Sequence, residues 1–396
     1  MKRIRQIAFL LALCGTLSLH ASNWMYRLPD NAYVAVLSIP GTHDSATGCG
    51  WGTALGLLGD PYATTQDLDI SAQWAAGVRA FDFRPCLYDG YMNMNHGIVP
   101  TKMHFEDALR LLRDSLLANP SEFAVIHVRH ESDGDQTDDS YEDRLRSVLT
   151  ASDLSDFLAP FKSGLTVGEM RGKMLLLSRD KYTNPIGGYI LNWTSESNWN
   201  KQILGRIVGT GSQSASLYMQ DYYDAHNSGG QDVKIAAVKK LLDFSTQHAT
   251  TTVSSIRWIL NFASAYSKVT SFFGQELSLS DGYRDNAVHV HQAVLDYLSA
   301  NPAGPVGIML MDFAGVDQSG SYAVRGQELV NAIIENNFRY LPEETTAVHS
   351  SAIAISSPST PAYTLSGTAA PSSSSCRGAV RLVRDADGRV RKYVAR

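Results

Sequence analysis

Eight short runs rich in β-branched, aromatic and aliphatic residues recur between residues 33 and 312, and most of them end in an ionisable residue. They are YVAVLSI (33–39), VRAFDFR (78–84), YMNMNHG (91–97), FAVIHVR (123–129), KMLLLSR (173–179), ASLYMQD (215–221), IRWILNF (256–262) and PVGIMLMD (305–312). Helical patterns with apolar residues three and four apart lie between several of them, as in 104–120 and 285–302, and both of these close on Asn-Pro. Strand runs joined by helical crossovers predict an α/β chain folded as a TIM-type (β/α)8 barrel. The barrel is expected to be irregular, because only the turn PCLYDG joins the second run to the third. A doubly wound open sheet is the alternative.

The ionisable residues gather at the C-terminal ends of the runs. His43 and Asp44 follow the first, Asp82 and Arg84 end the second, and His96 ends the third. Arg129, Arg179, Asp221 and Asp312 end the fourth, fifth, sixth and eighth. In a parallel barrel that is the face where active sites are built. Strand side chains alternate, so Asp82 and Arg84 share a side, and a charged pair inside an apolar strand is costly unless paired or used. Two histidines near a barrel mouth can exchange protons at neutral pH. A carboxylate on the far ring nitrogen fixes the tautomer, and Asp312 and Asp82 are candidates for that task. Arg84 offers a planar cation suited to phosphate oxygens. This set describes a phosphodiester-cleaving site of the ribonuclease type. Pro40 and Gly41 are read as shaping the turn that presents His43. The remaining histidines His104, His127, His130, His226, His248, His289 and His291 are read as ordinary satisfied polar groups.

PGTHDSATG, then FDFR, then NHG, resembles the catalytic X-region of the bacterial, metal-independent phosphatidylinositol-specific phospholipases C, over about residues 30–315. The resemblance implies His43 as general base, oriented by Asp312, and His96 as general acid, partnered by Asp82. It implies Arg84 as the phosphate-stabilising cation, coupled to Asp44, and Arg129, Arg179, Asp221 and Tyr223 as contacts to inositol hydroxyls. At 129 the bacterial pattern more often carries lysine. The implied reaction is attack by the inositol 2-hydroxyl on phosphorus, releasing diacylglycerol and inositol 1,2-cyclic phosphate from phosphatidylinositol or a glycosylphosphatidylinositol anchor. The implied enzyme needs no cofactor, and Arg84 stands where a calcium-dependent branch places oxygen ligands. The rivals are a metal site built on His43, Asp44 and Asp82, a metal-dependent glycerophosphodiester phosphodiesterase, an enzyme for a different inositol-like head group, and a non-catalytic lipid-binding module.

The flanks read differently. Residues 1–21 have a basic start, an apolar stretch and a small residue near a cleavage point, the pattern of a secretory signal peptide. The barrel is expected over 22–342, a Ser/Thr/Pro-rich linker over 343–375 and a hairpin around Asp-Gly over 376–396. That last segment resembles the sorting segments of proteins exported by the type IX system. A formal net charge of −5 with no long basic run gives no reason to expect nucleic acid, and no stable protein partner is expected. The apolar stretch CGWGTALGLLGDPY (49–62), with Trp51, Leu55, Leu57 and Leu58, reads either as a transient membrane contact or as a cover for the barrel. The stretch 184–199 is a second such candidate. Cys49 and Cys86 follow the first two runs and are read either as a bridge on one rim or as two free thiols.

Overall fold

The computed structural model describes residues 23–52, 56–193, 203–248, 256–272 and 275–341, together with short strand segments between 362 and 394. The chain divides into two compact units, 1–344 and 345–396. In the second unit Val380–Arg384 pairs antiparallel with Val390–Val394. The signal-peptide stretch lies outside the described residues.

The first unit is built on a closed barrel of nine strands. In chain order they are β1 (Ser38–Thr42), β2 (Ala80–Phe83), β3 (Ala124–Val128), β4 (Met174–Ser178), β5 (Gly188–Leu191), β6 (Ile203–Val208), β7 (Ser214–Gln220), β8 (Arg257–Phe262) and β9 (Gly307–Met311). Neighbours in sequence are neighbours in space, and β1 closes the ring against β9. Every pairing is parallel except those of β6, which runs antiparallel to β5 and β7. β1, β3, β4 and β9 are buried along their whole length, as expected of parallel strands covered on both faces.

Seven of the eight expected runs are barrel strands. The run 91–97 is not: Tyr91–His96 is the middle strand of a separate three-stranded antiparallel sheet with Pro85–Tyr88 and Val99–His104. The barrel takes β5 and β6 instead. Their intervening stretch is polar, and β5 is only four residues long, so neither stands out as a strand by composition. β5 also falls inside 184–199, so part of that candidate membrane segment is barrel wall.

The first run is displaced. Val34–Val36 forms a 3-10 turn, and β1 begins at Ser38 and carries straight through Pro40 and Gly41. These two residues therefore do not form the turn. Gly41 is there for close approach: a Cβ on it would lie 2.6 Å from Leu310 Cδ2 and 2.8 Å from Ala80 Cβ, on the two flanking strands. The turn comes at Asp44, whose backbone is left-handed with φ 45°. A second left-handed residue, Phe313 with φ 51°, directly follows Asp312. Non-glycine residues in this region cost about 1–3 kcal/mol each and concentrate at functional sites.

The expected helix at 104–120 forms as Phe105–Ala118 and buries Phe105, Ala108, Leu109, Leu112 and Leu116, the face its spacing defines. At the N-terminal ends of β2 and β3, Arg79 and Glu122 are fully buried and paired, Nε to Oε2 at 2.9 Å. The Arg79 guanidinium also donates to the carbonyls of Trp74 and Val78 and lies 3.8 Å over the Trp74 ring.

Candidate active site

β1 delivers the first two groups. His43 N–H donates to the Met311 carbonyl at 2.9 Å, which extends the β1–β9 ladder one residue beyond the strand. This brings the His43 ring to the residue after β9, and Nδ1 meets Asp312 Oδ1 at 2.8 Å. The left-handed turn at Asp44 then aims its backbone N–H at Asp82 Oδ2, 3.1 Å away on β2. Ser45 Oγ fixes the other side by accepting from the Asp82 N–H at 2.9 Å.

Arg84 lies at the centre. Its Nε is 2.8 Å from Asp44 Oδ1, its Nη2 is 3.1 Å from Asp82 Oδ2, and its Nη1 is 3.8 Å from Glu131 Oε2. Burial opposes the charge on Arg84, but Asp44, Asp82 and Glu131 outweigh it and hold the guanidinium protonated. Burial would also lift Asp82. Arg84 and then His127 overcome that and hold its carboxyl well below the usual range. Asp44 is driven up, mainly by burial, with Arg84 opposing.

The histidines behave differently from free imidazoles. Burial, then the Arg84 charge, pushes His43 well below the ordinary value. The same two causes push His96 down to about 3. Asp312 is driven up, chiefly by burial and then by Asp44. His43 is therefore neutral in the open pocket. In the tautomer that gives Nδ1–H to Asp312, Nε2 is the basic nitrogen.

One expected pairing is not formed. Asp82 is not the partner of His96. Parallel register sets Asp82 opposite His127 on β3, and Asp82 Oδ1 lies 2.7 Å from His127 Nδ1. His96 arrives instead from the side sheet, where its Nδ1 is 3.2 Å from Asp44 Oδ2. His127, expected to be an ordinary satisfied polar group, has Nε2 without a hydrogen-bond partner among the described residues. The strand alternation held a signal for it, since His127 and Arg129 share a side of β3 as Asp82 and Arg84 share a side of β2.

These groups open on a cavity of about 420 Å³. His43, Asp44, Arg84, His96, Arg129, Arg179, Asp221 and Tyr223 all line it, as do His127, Glu131 and Tyr283, which the sequence reading did not pick out. Asp82 and Asp312 stand behind this lining. Arg129 Nη1 is 3.4 Å from Glu131 Oε2, and Arg179 lies 4.7 Å over the ring of Trp193. Behind Asp221, the buried Lys234 ammonium donates to Gln220 Oε1 and to the carbonyls of Tyr222 and Phe262, tying the ends of β7 and β8 together. Burial brings Lys234 down to about 7.

Among the described residues no set of three or more His, Cys, Asp or Glu side chains converges as a metal-ligand group. Cys49 and Cys86 are free thiols, and Cys86 Sγ donates to the Glu131 carbonyl at 2.9 Å. Trp51 is partly exposed and pairs with Thr101 in an isolated bridge. Leu55 and the side chains of Leu57 and Leu58 lie outside the described residues.

A curated protein named 1-phosphatidylinositol phosphodiesterase from Staphylococcus aureus (strain Newman) is 27% identical over 331 residues, covering 81% of this chain and 96% of that protein. The chain is a homologue of the bacterial phosphatidylinositol-specific phospholipases C. The Listeria monocytogenes protein of the same name is 29% identical over 176 residues, covering 43% of this chain and 52% of its own length. Among solved structures, a phosphatidylinositol-specific phospholipase C from Staphylococcus aureus superposes with TM-score 0.65 at 23% identity, over 81% of this chain and 99% of that one. The Listeria monocytogenes enzyme superposes with TM-score 0.57 at 22% identity, over 80% of this chain and 98% of that one. These superpositions establish the shared barrel. No family model matches the chain.

Proposed function

We propose that this chain is a phosphatidylinositol-specific phospholipase C that cleaves phosphatidylinositol to diacylglycerol and inositol 1,2-cyclic phosphate. The observation that carries the reading is the convergence of the His43–Asp312 pair and the Arg84 guanidinium on one cavity, in a chain homologous to proteins named for that reaction. His43 Nε2 takes the proton of the inositol 2-hydroxyl as its oxygen attacks phosphorus. The bond from phosphorus to the diacylglycerol oxygen breaks, and His96 gives that oxygen a proton. Arg84 balances the charge that builds on the phosphoryl oxygens, so the account needs no metal ion. Holding the nucleophile within the substrate supplies much of the rate advantage.

His96 pairs with Asp44 in this scheme, and it must gain its proton together with the substrate. Burial, and then Arg84, strip that proton in the open pocket. A phosphodiester anion beside Arg84 offsets the guanidinium charge and restores it. Arg129, Arg179, Asp221 and Tyr223 are assigned to the head-group hydroxyls. Ile98, two residues beyond His96, is 63% exposed, and with Trp51 it is assigned to a transient contact with the lipid surface. Among the described residues no helix is long and apolar enough to cross a membrane. Export through the N-terminal signal, and sorting through the C-terminal segment, complete the proposal. Glycosylphosphatidylinositol anchors present the same scissile group and belong to the substrate class.

The test is ³¹P NMR of the mature protein acting on phosphatidylinositol micelles in excess EDTA, with His43→Ala as control. A cyclic phosphodiester signal that the variant fails to produce is expected. Turnover only after a divalent cation is restored would overturn the assignment of the phosphate charge to Arg84. No turnover under either condition would overturn the substrate.

A further inference from the structure

His127 is unlike the other histidines outside the proposed chemistry. Its side chain is 5% exposed, it lines the cavity, and Nδ1 is committed to Asp82 Oδ1 at 2.7 Å. Nε2 is buried and has no hydrogen-bond partner among the described residues. It repeats the His43–Asp312 arrangement in that a carboxylate holds one ring nitrogen while the ring lines the cavity. It also shares a neighbour with His43, since both rings meet Phe262 edge-on, at 5.8 Å for His127 and 6.2 Å for His43. His96 instead neighbours Tyr283, at 6.0 Å. His127 belongs to the wall of Arg129, Arg179 and Trp193, whose ring lies 5.2 Å from its own.

The acceptors already on that side of the cavity are the carboxylates Asp221 and Glu131, and His127 Nε2 would add an uncharged one. Guanidinium groups only donate hydrogen bonds, whereas each hydroxyl of a polyol ring both donates and accepts. A ring seated against Arg129 and Arg179 has hydroxyl protons that must go elsewhere, and a buried unmet donor is expensive. In the neutral tautomer that gives Nδ1–H to the Asp82 carboxylate, Nε2 carries the lone pair. We infer that His127 is a substrate-contacting residue whose Nε2 accepts a hydrogen bond from a head-group ring hydroxyl, with Asp82 serving both His127 and Arg84. The inference rests on the proposed function, because the head group is the one named there. It makes His127 a specificity residue, since a ring lacking that hydroxyl leaves the acceptor unmet.

The experiment separates contact from support. Asparagine at 127 places its amide nitrogen where Nδ1 lies, so His127→Asn keeps the bond to Asp82 and deletes the Nε2 acceptor. Glutamine reaches the Nε2 position, so His127→Gln keeps a group there and gives up the bond to Asp82. Hydrolysis of soluble inositol 1,2-cyclic phosphate is followed in wild type and both variants, with myo-inositol as competitor and thermal melting measured in parallel. For His127→Asn, KM and the inositol inhibition constant are expected to rise about ten-fold with kcat within about three-fold. For His127→Gln, both constants are expected to rise less than in His127→Asn. The reverse ranking would show that His127 only steadies Asp82, and unchanged constants in both variants would also overturn the inference. A wild-type chain that turns over neither the cyclic phosphate nor phosphatidylinositol would overturn the proposed function, and the inference with it.

Discussion

β2 is four residues long and carries an arginine just beyond each end. Both face acids, yet Arg79 is fully buried while the Arg84 side chain is 12% exposed at a cavity. Among the described residues Arg79 meets a carboxylate, two carbonyls and a Trp face, and it is 0% exposed. Arg84 has three carboxylates and a cavity, and around it the polar atoms meet as looser ion pairs, His96 Nδ1 with Asp44 Oδ2 at 3.2 Å and Arg129 Nη1 with Glu131 Oε2 at 3.4 Å, while His127 Nε2 has no hydrogen-bond partner among the described residues. A buried polar cluster that is fully met holds a structure together, and one left part-met around a cavity is set out for a ligand. The strand thus separates scaffold from chemistry across its own length.

If that division holds, variants at the two ends differ in what they lose. The largest effect is expected from Asp312→Asn, at the open end. It alters the tautomer of His43 and should lower kcat on the order of 10³-fold with little change in melting, measured by steady-state turnover and calorimetry. Melting that falls in step with activity would place Asp312 in the scaffold instead.

Glu122→Gln probes the closed end. It strands a guanidinium that is 0% exposed, so it should cost about 3–5 kcal/mol in chemical denaturation. Its folded fraction should turn over substrate within about three-fold of wild type. A loss of turnover in fully folded protein would show that the two ends communicate.

The pH dependence gives a smaller and finer contrast. His43 lies well below its ordinary value, so the base is available into the acid range and the acid limb of kcat/KM should fall below about pH 6.5. The free pocket holds the His96 proton only up to about 3, so kcat/KM should decline as pH rises above that. Once the phosphodiester is bound its charge raises His96, so the alkaline limb of kcat should lie at higher pH, by roughly one unit or more. Coincident limbs in the two profiles would contradict a proton gained with the substrate.

Much of the mouth was legible in the sequence because parallel strands repeat one rule. Each run ends at the same face, so an ionisable residue at the end of a run reaches the cavity regardless of which run carries it. That rule placed His43, Arg84, Arg129, Arg179, Asp221 and Asp312. It failed where the chain leaves the barrel. The run ending in His96 looks like the others but lies in a side sheet, so its partner followed from packing against Asp44 and not from strand order. It also hid His127. That residue sits two positions before the end of its run, and only the β2–β3 register reveals that it faces Asp82. The antiparallel β6 was invisible for a related reason, since a strand that turns directly into β7 has no helix after it to mark its end.

The most direct measurement compares Arg84→Met with Arg79→Met, recording turnover of inositol 1,2-cyclic phosphate and thermal melting on the same samples. The account predicts a crossing. Arg84→Met loses turnover on the order of 10³-fold and keeps most of its melting temperature, while Arg79→Met melts far lower and retains turnover below that temperature. Turnover within ten-fold of wild type in folded Arg84→Met would contradict the claim that this guanidinium carries the phosphate chemistry.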